Sequence, residues 1–156
     1  MKIRIAAIGS RPREAFEDLT QMYLDRIAAL LPGAKSAVEA PLYRTEDALN
    51  AALDRERART APCVVLLDER GRQLTSEAFA AWLGRERDAG RQLIVFAVGP
   101  ANGWSASRPR ADLQLSLGPM TLPHELARVA ICEQLYRALT ILGGHPYHRE
   151  GAGRRT

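Results

Sequence analysis

Two uninterrupted apolar runs, residues 62–67 (PCVVLL) and 92–98 (QLIVFAV), constrain the fold of this chain more than any other feature. Both have the length of a strand and lack the alternation of a strand with one solvated face. They therefore predict strands covered on both faces, as in a parallel sheet. A segment of helical periodicity, Thr75–Asp88, separates them and is closed by Gly90. A strand, a helix and a second buried strand in succession predict an α/β fold.

The remaining segments continue this alternation, so the predicted fold class is α/β, with a mainly parallel sheet flanked by helices. Thr45 is a suitable cap for one of the helices, because its hydroxyl can accept from a backbone N–H of the first turn. The other predicted elements are a strand at Lys2–Ile8, a helix at Pro12–Leu31, a weaker strand at Ala34–Ala40, a helix from Thr45 to Arg59, a turn at Asp68–Gly71 and a strand at Ala111–Ser116.

Ligands of such sheets bind beyond the carboxyl ends of the strands. Three loops qualify: the one after Leu67, the one at Gly99–Gly103 and the one at Leu117–Leu122. The second satisfies neither the dinucleotide nor the P-loop glycine pattern, which favours a tight turn over a phosphate cradle. Asp68 and Glu69 form either an acid pair or a solvated turn.

The C-terminal third combines a loop of small and apolar residues, a long helix and a polar tail. Thr121 is a candidate cap for the helix, and Pro123 suits its first turn. Apolar residues between Leu126 and Leu142 recur at helical spacing, whereas Arg128, Glu133, Gln134 and Arg137 fall between them, so one side is predicted to be buried. Gly143-Gly144 is predicted to end the helix before the tail.

The histidines and cysteines leave several interpretations open. His124 near the helix start is either a catalytic base or a polar first-turn residue. His145 and His148 have no third metal ligand nearby in the sequence, which disfavours a local metal site, and we expect no metal. Cys63 and Cys132 are far apart and each lies in an apolar stretch, which favours buried free thiols.

Length and composition indicate a single domain over residues 1–156, with residues 151–156 as a loose tail. The formal net charge of +4 permits contact with phosphates without requiring it. No apolar run approaches the roughly 20 residues of a membrane span, and Met1 is followed at once by a strand-like pattern. We therefore expect a cytoplasmic protein that does not interact with membranes.

Three motifs together resemble one known family. Residues 98–103 (VGPANG), 116–141 (SLGPMTLPHELARVAICEQLYRALTI) and 145–150 (HPYHRE) are similar to the RlmH (YbeA-type) branch of the SPOUT methyltransferases, and the resemblance extends over the whole chain. It implies a SPOUT-type fold with a C-terminal trefoil knot, a homodimer, and transfer of a methyl group from S-adenosylmethionine to N3 of a pseudouridine in large-subunit (23S) ribosomal RNA within the ribosome.

The resemblance also implies the site residues. Carried over by position, the cofactor contacts fall on Leu67, Gly99, Leu117, Gly118, Pro119, Met120, Thr121 and Leu122.

Tyr147, His148 and Arg149 are then expected at the catalytic, substrate end of the site. Aromatic rings stack on unpaired RNA bases, imidazole exchanges protons and a guanidinium binds phosphate, so the three residue types suit that role. The alternative functions are a ribosome- or RNA-binding module without catalysis and a small-molecule enzyme. The first would have no reason to keep the LGPMTL loop, and the second calls for a nucleotide motif that this sequence lacks.

Overall fold

A computed structural model describes residues 1–149, and six parallel strands form its single sheet. The strand order is β2-β1-β5-β4-β6, and β3 also pairs with β1, next to β2. Pairing is parallel throughout, so the predicted mainly parallel α/β class is confirmed. The strands are β1 (Lys2–Ile8), β2 (Val38–Glu39), β3 (Leu42–Tyr43), β4 (Cys63–Gln73), β5 (Leu93–Val98) and β6 (Leu113–Ser116).

Four α-helices cover the two faces of the sheet: α1 (Glu14–Ala28), α2 (Glu46–Arg57), α3 (Ser76–Asp88) and α4 (His124–Leu142). One apolar core joins α1, α3 and α4 to the sheet, with Phe96 and Leu135 fully buried within it. A smaller core on the other face contains Leu49 and Leu53 of α2. The alternating side chains of the strands serve both cores, which explains their uninterrupted apolar runs.

The predicted starts of α2 and α3, at Thr45 and Thr75, are confirmed. The Thr45 and Thr75 hydroxyls accept hydrogen bonds from the amides of Ala48 (3.1 Å) and Ala78 (3.0 Å). Gly143 caps the C-terminal end of α4, as predicted. Cys63 and Cys132 are buried free thiols, also as predicted.

The prediction of a strand over Ala34–Ala40 is wrong for its first half. Ala34–Ala37 form a turn of 3₁₀ helix, and only Val38 and Glu39 pair with β1. Gly33 enters this turn with φ of +90°, and the Ser36 hydroxyl donates to its carbonyl at 2.7 Å. A local hydrogen bond therefore competes with strand pairing there.

The predicted turn at Asp68–Gly71 does not end β4. Leu67 and Arg72 both pair with Leu115 of β6, so the four intervening residues form a bulge and the strand continues to Gln73. At Gly71 an added Cβ would lie 2.8 Å from the Gln114 backbone. Glycine is therefore needed where the bulge passes so close to β6.

Two predictions for α4 are also wrong. Thr121 does not cap this helix, because Pro123 occupies the N-cap position and the Thr121 hydroxyl instead donates to Glu69 at 2.9 Å. Arg128 is buried, whereas Leu126 is 38% exposed. The predictions for Glu150 and for a loose tail at residues 151–156 lie outside the described residues.

Candidate functional site

A cavity of about 450 Å³ lies at the bulge of β4 and beyond the carboxyl ends of β5 and β6. All three loops selected from the sequence contribute to its wall, because adjacent parallel strands end at the same edge of the sheet. Of the eight predicted cofactor residues, all within the described part of the chain, seven line the cavity and Pro119 lies in the same loop. The seven are Leu67, Gly99, Leu117, Gly118, Met120, Thr121 and Leu122.

Ser116 organises the loop that joins β6 to α4. Its hydroxyl accepts from the Gly118 amide at 3.0 Å and lies within hydrogen-bonding distance of two carbonyls, those of Gly118 (2.9 Å) and Glu69 (3.0 Å). Gly118 has φ of +135°, and a Cβ added to it would meet no atom within 4 Å. Backbone groups of this loop therefore border open space in the cavity wall.

Trp104 joins the first two loops and was not among the predicted site residues. Its Nε1 donates to the Leu67 carbonyl at 2.8 Å, and its ring packs so closely on Gly99 that an added Cβ there would lie 2.9 Å from Cε2. In the sequence, the one feature that could have indicated Trp104 as a site residue is its place directly after the glycine turn that follows a buried strand.

Asp68 and Glu69 of the β4 bulge are not a free acid pair. The Asp68 side chain is 6% exposed and lies 3.2 Å from Arg70 and 3.8 Å from Arg108. Hydrogen bonds from Arg70 hold the pKa of Asp68 below its usual value. Since Glu69 accepts from Thr121, both carboxylates serve to tie the loops together at the rim of the cavity.

His124 also lines the cavity, at the first residue of α4. Its imidazole faces the end of β1, where Nε2 would lie 3.6 Å from a Cβ on Gly9. The neighbouring Glu125 carboxylate accepts from the Arg13 amide at 2.9 Å. The start of α4 is thus anchored to the chain that follows β1, with an imidazole at the cavity wall.

The tail residues Tyr147 and His148 fold back onto α3 and α4. The Tyr147 hydroxyl donates to Glu133 at 3.2 Å, and its ring packs against Tyr136 with centroids 4.6 Å apart. Burial, together with the negative charge of Glu133, raises the pKa of Tyr147 to about 12. His148 lies between Arg137 (3.2 Å) and Glu77 (2.9 Å).

Of the described tail residues, Tyr147, His148 and Arg149 do not line the first cavity. Glu133 is nine residues along α4 from His124, which corresponds to roughly 14 Å of helix. Glu133 instead borders a second cavity of about 570 Å³. The two cavities share Leu115, Leu117, Gly118 and Leu122, so the β6–α4 loop separates them. Arg149 is exposed.

Residues 1–149 contain no group of three or more His, Cys, Asp or Glu side chains placed to hold a metal ion. In the same part of the chain, no helix has the combination of length and apolarity that crossing a bilayer requires.

A parallel sheet whose carboxyl-edge loops enclose a cavity with apolar and glycine-rich walls defines an α/β protein with a loop-built site for a small organic ligand. The family described as "Predicted SPOUT methyltransferase" matches residues 1–148. This chain therefore belongs to the SPOUT methyltransferase family.

Two relatives with similar sequences agree with the family match. The chain is 48% identical over 149 residues to the ribosomal RNA large subunit methyltransferase H of Koribacter versatilis, covering 95% of this chain and 98% of the relative. It is 41% identical over 168 residues to the protein of the same name from Brucella ovis, covering 96% and 99% of the two chains. Among solved structures it is similar to the SpoU methyltransferase AviRb of Streptomyces viridochromogenes, with a TM-score of 0.49, 17% identity and coverage of 92% of this chain and 61% of the other.

Proposed function

We propose that this protein transfers a methyl group from S-adenosylmethionine to N3 of a pseudouridine in large-subunit ribosomal RNA, acting in the cytoplasm as a homodimer. The observation that carries the proposal is the convergence of three loops, distant in sequence, on one cavity. Relatives named ribosomal RNA large subunit methyltransferase H, 41–48% identical over nearly the whole chain, support the choice of large-subunit RNA as substrate.

The cavity suits a bent organic cofactor in volume and in wall chemistry. Its volume of about 450 Å³ is within the usual range for ligand pockets, roughly 300–1,000 Å³. Leu67, Leu117 and Leu122 offer apolar walls, while the backbone at Gly118 offers polar groups without side-chain obstruction. When bound, S-adenosylmethionine supplies a sulfonium-activated methyl group, so the protein's task is to position the acceptor and its proton.

The acceptor side of the site is assigned to the tail. Arg149 is exposed, and Tyr147 is bonded to Glu133, which borders the second cavity. A guanidinium suits contacts to phosphate, and an aromatic side chain beside it suits contacts to unpaired bases. Tyr147 and His148 do not line the first cavity of their own chain, which supports the proposal that a partner subunit brings its tail to each cofactor cavity.

The surface near the β6–α4 loop favours such pairing of two copies. Four large apolar side chains are exposed there: Leu19 at 41%, Met120 at 81%, Leu122 at 37% and Leu126 at 38%. Leu19 and Leu122 line the second cavity together. Apolar side chains grouped on a surface mark interaction sites. Of the four side chains, Leu126 belongs to α4.

The test is methyl transfer from radiolabelled S-adenosylmethionine to large ribosomal subunits that lack the modification, followed by mapping of the labelled nucleotide. We expect label at N3 of one pseudouridine. Cofactor binding with no transfer to subunits or to free RNA would instead support a non-catalytic RNA-binding module. Label on any other position would refute the assigned acceptor.

A further inference from the structure

Seven polar residues on α3, α4 and the tail form a ring that is held by hydrogen bonds and closed by the backbone link between Ser76 and Glu77. Ser76 donates to Gln134 at 2.8 Å, and Gln134 donates to Glu133 at 2.8 Å. Glu133 is linked to Arg137 and Tyr147, Arg137 to His148, and His148 to Glu77, which is the neighbour of Ser76. Ser76, Glu133 and Gln134 border the second cavity. The ring thus connects the tail to the cavity that adjoins the cofactor loop.

Glu133 is the main acceptor of this ring. One of its oxygens, Oε1, accepts from Arg137 Nε (3.0 Å), Arg137 Nη2 (2.6 Å) and the Tyr147 hydroxyl (3.2 Å). Its partner Arg137 lies four residues on, the spacing at which helix side chains meet. The two side chains are 18% and 25% exposed, so they are partly shielded from water. This pair is organised by α4 itself and offers the tail a preformed docking point.

Arg137 determines which nitrogen of His148 carries the proton. A guanidinium has donors and no acceptor, and it stays protonated. Because Arg137 Nη1 lies 3.2 Å from His148 Nδ1, that nitrogen must accept. The proton of neutral His148 is then on Nε2, which faces the Glu77 carboxylate at 2.9 Å. The guanidinium also lies 5.0 Å from the Tyr147 ring centroid, within the range of a cation–π contact.

We propose that Glu133 and Arg137 are positioning residues for the substrate end of the site: they dock Tyr147 and His148 on α4, so that Arg149 is presented to the RNA. The inference rests on the proposed function and refines it. In the docked arrangement both nitrogens of His148 are engaged, by Arg137 and by Glu77. His148 therefore anchors the tail in the Nε2–H tautomer and does not take the N3 proton.

The test compares Arg137→Met with Arg137→Lys and with a control, Arg87→Met. Arg87 lies on α3 and, among residues 1–149, pairs only with its neighbour Asp88, at 49% exposure. Cofactor affinity, kcat and KM for the ribosomal substrate are measured, together with the tautomer of His148 from ring ¹⁵N shifts. The chain has three histidines, so a His148→Gln spectrum assigns the signals.

For Arg137→Met we expect a loss of roughly 10- to 100-fold in kcat/KM, the scale of a misplaced reactive group. Cofactor affinity should stay within about twofold, since docking lies outside the cofactor cavity, and the single Nε2–H tautomer should be lost. In Arg137→Lys the ammonium group can reach only one of the two partners, Glu133 and His148, at a time. This variant should therefore recover part of the activity that Arg137→Met loses. Arg87→Met should behave as wild type.

Unchanged or increased kcat/KM in Arg137→Met, while the wild type is active, would overturn the inference, because docking would then be dispensable or inhibitory. If Arg137→Met fails to fold, Glu133→Gln serves instead: it keeps the shape but removes the charge, and a wild-type kcat/KM and tautomer in it would equally overturn the inference. Absence of transfer by the wild type itself would refute the proposed function. That result is distinct from the outcomes for Arg137→Met and Glu133→Gln, which concern the docking of the tail.

Discussion

The indole Nε1 of Trp104 donates a hydrogen bond to the backbone carbonyl of Leu67 across 2.8 Å. This contact joins the loop after β5 to the carboxyl end of the first part of β4. The same ring packs on Gly99, where no side chain fits. The positions of Leu67 and Gly99, two predicted cofactor residues, therefore depend on Trp104, which lies in none of the three motifs.

Replacing Trp104 with Phe keeps an aromatic ring but removes the donor. We expect the free energy of unfolding to fall by about 1 kcal/mol, the typical contribution of one hydrogen bond, and S-adenosylmethionine to bind roughly fivefold more weakly. Trp82→Phe on α3, which alters an indole away from the cavity, serves as the control. Titration calorimetry with full cofactor affinity in Trp104→Phe would contradict a role for the indole in shaping the site.

Gly118 is predicted to be required for cofactor binding itself. In Gly118→Val the new side chain enters the open space of the cavity. The matched control is Gly90→Val, because Gly90 also has positive φ (+80°) with nothing within 4 Å of an added Cβ, yet it lies at the end of α3. Both variants should lose about 1–3 kcal/mol of stability from backbone strain. Calorimetry should show affinity reduced tenfold or more, equivalent to ~1.4 kcal/mol, for Gly118→Val alone.

The regular elements were predictable because their signals are local. The helical periods of α1 and α3, the Thr45 cap and the apolar runs of β4 and β5 each require a few neighbouring residues only. The three site loops followed from the same information, because parallel strands bring their carboxyl ends to one edge.

What the sequence did not predict depends on contacts between distant segments. Arg128 was assigned to the polar side of α4, yet it is buried because it donates to Glu17 (3.0 Å) and to the Ala40 carbonyl (2.8 Å), partners that local periodicity does not reveal. The continuation of β4 past Leu67 likewise requires β6 as a partner after the bulge. The docking of Tyr147 requires Glu133 and Arg137 to share one helix face.

Dimer formation is predicted to depend on Leu126, which is 38% exposed near the start of α4. A carboxylate at this position would have to be desolvated in an apolar interface, so Leu126→Glu should shift the protein toward monomer and reduce methyl transfer with it. Leu30→Glu is the matched control, since Leu30 is 40% exposed beyond the far end of α1. Sedimentation velocity distinguishes the species. An active monomer would refute the need for a partner subunit.

The two buried thiols predict a loss of stability at alkaline pH. Burial raises the pKa of Cys63 to about 11 and that of Cys132 to about 12. In the unfolded chain thiols ionise near ~8.5, so above that pH the folded state binds more protons, and the free energy of unfolding falls as pH rises from there up to the folded pKa values. The loss is up to about 1.4 kcal/mol per pH unit for each thiol. Urea unfolding at pH 7 and pH 10, compared with Cys63→Ala/Cys132→Ala, isolates this effect; equal pH dependence in both proteins would contradict it.

The tail is predicted to act in methyl transfer and not in cofactor binding. Tyr147 and His148 contact α3 and α4 and do not line the cofactor cavity, so a chain ending at Pro146 should bind S-adenosylmethionine with unchanged affinity. It should lose most transfer to ribosomal subunits, because Arg149 and the docked aromatic ring are removed together. A chain ending at Glu150 is the control and should stay close to wild type.

Measuring cofactor affinity and transfer side by side in both truncations separates the two ends of the site. If the shorter chain loses cofactor affinity as well, the tail must stabilise the β6–α4 loop through the residues the two cavities share, such as Leu117 and Leu122. If it retains full transfer, Tyr147, His148 and Arg149 have no part in the reaction, and the acceptor must be sought at the cofactor cavity itself, where His124 is the imidazole in the wall.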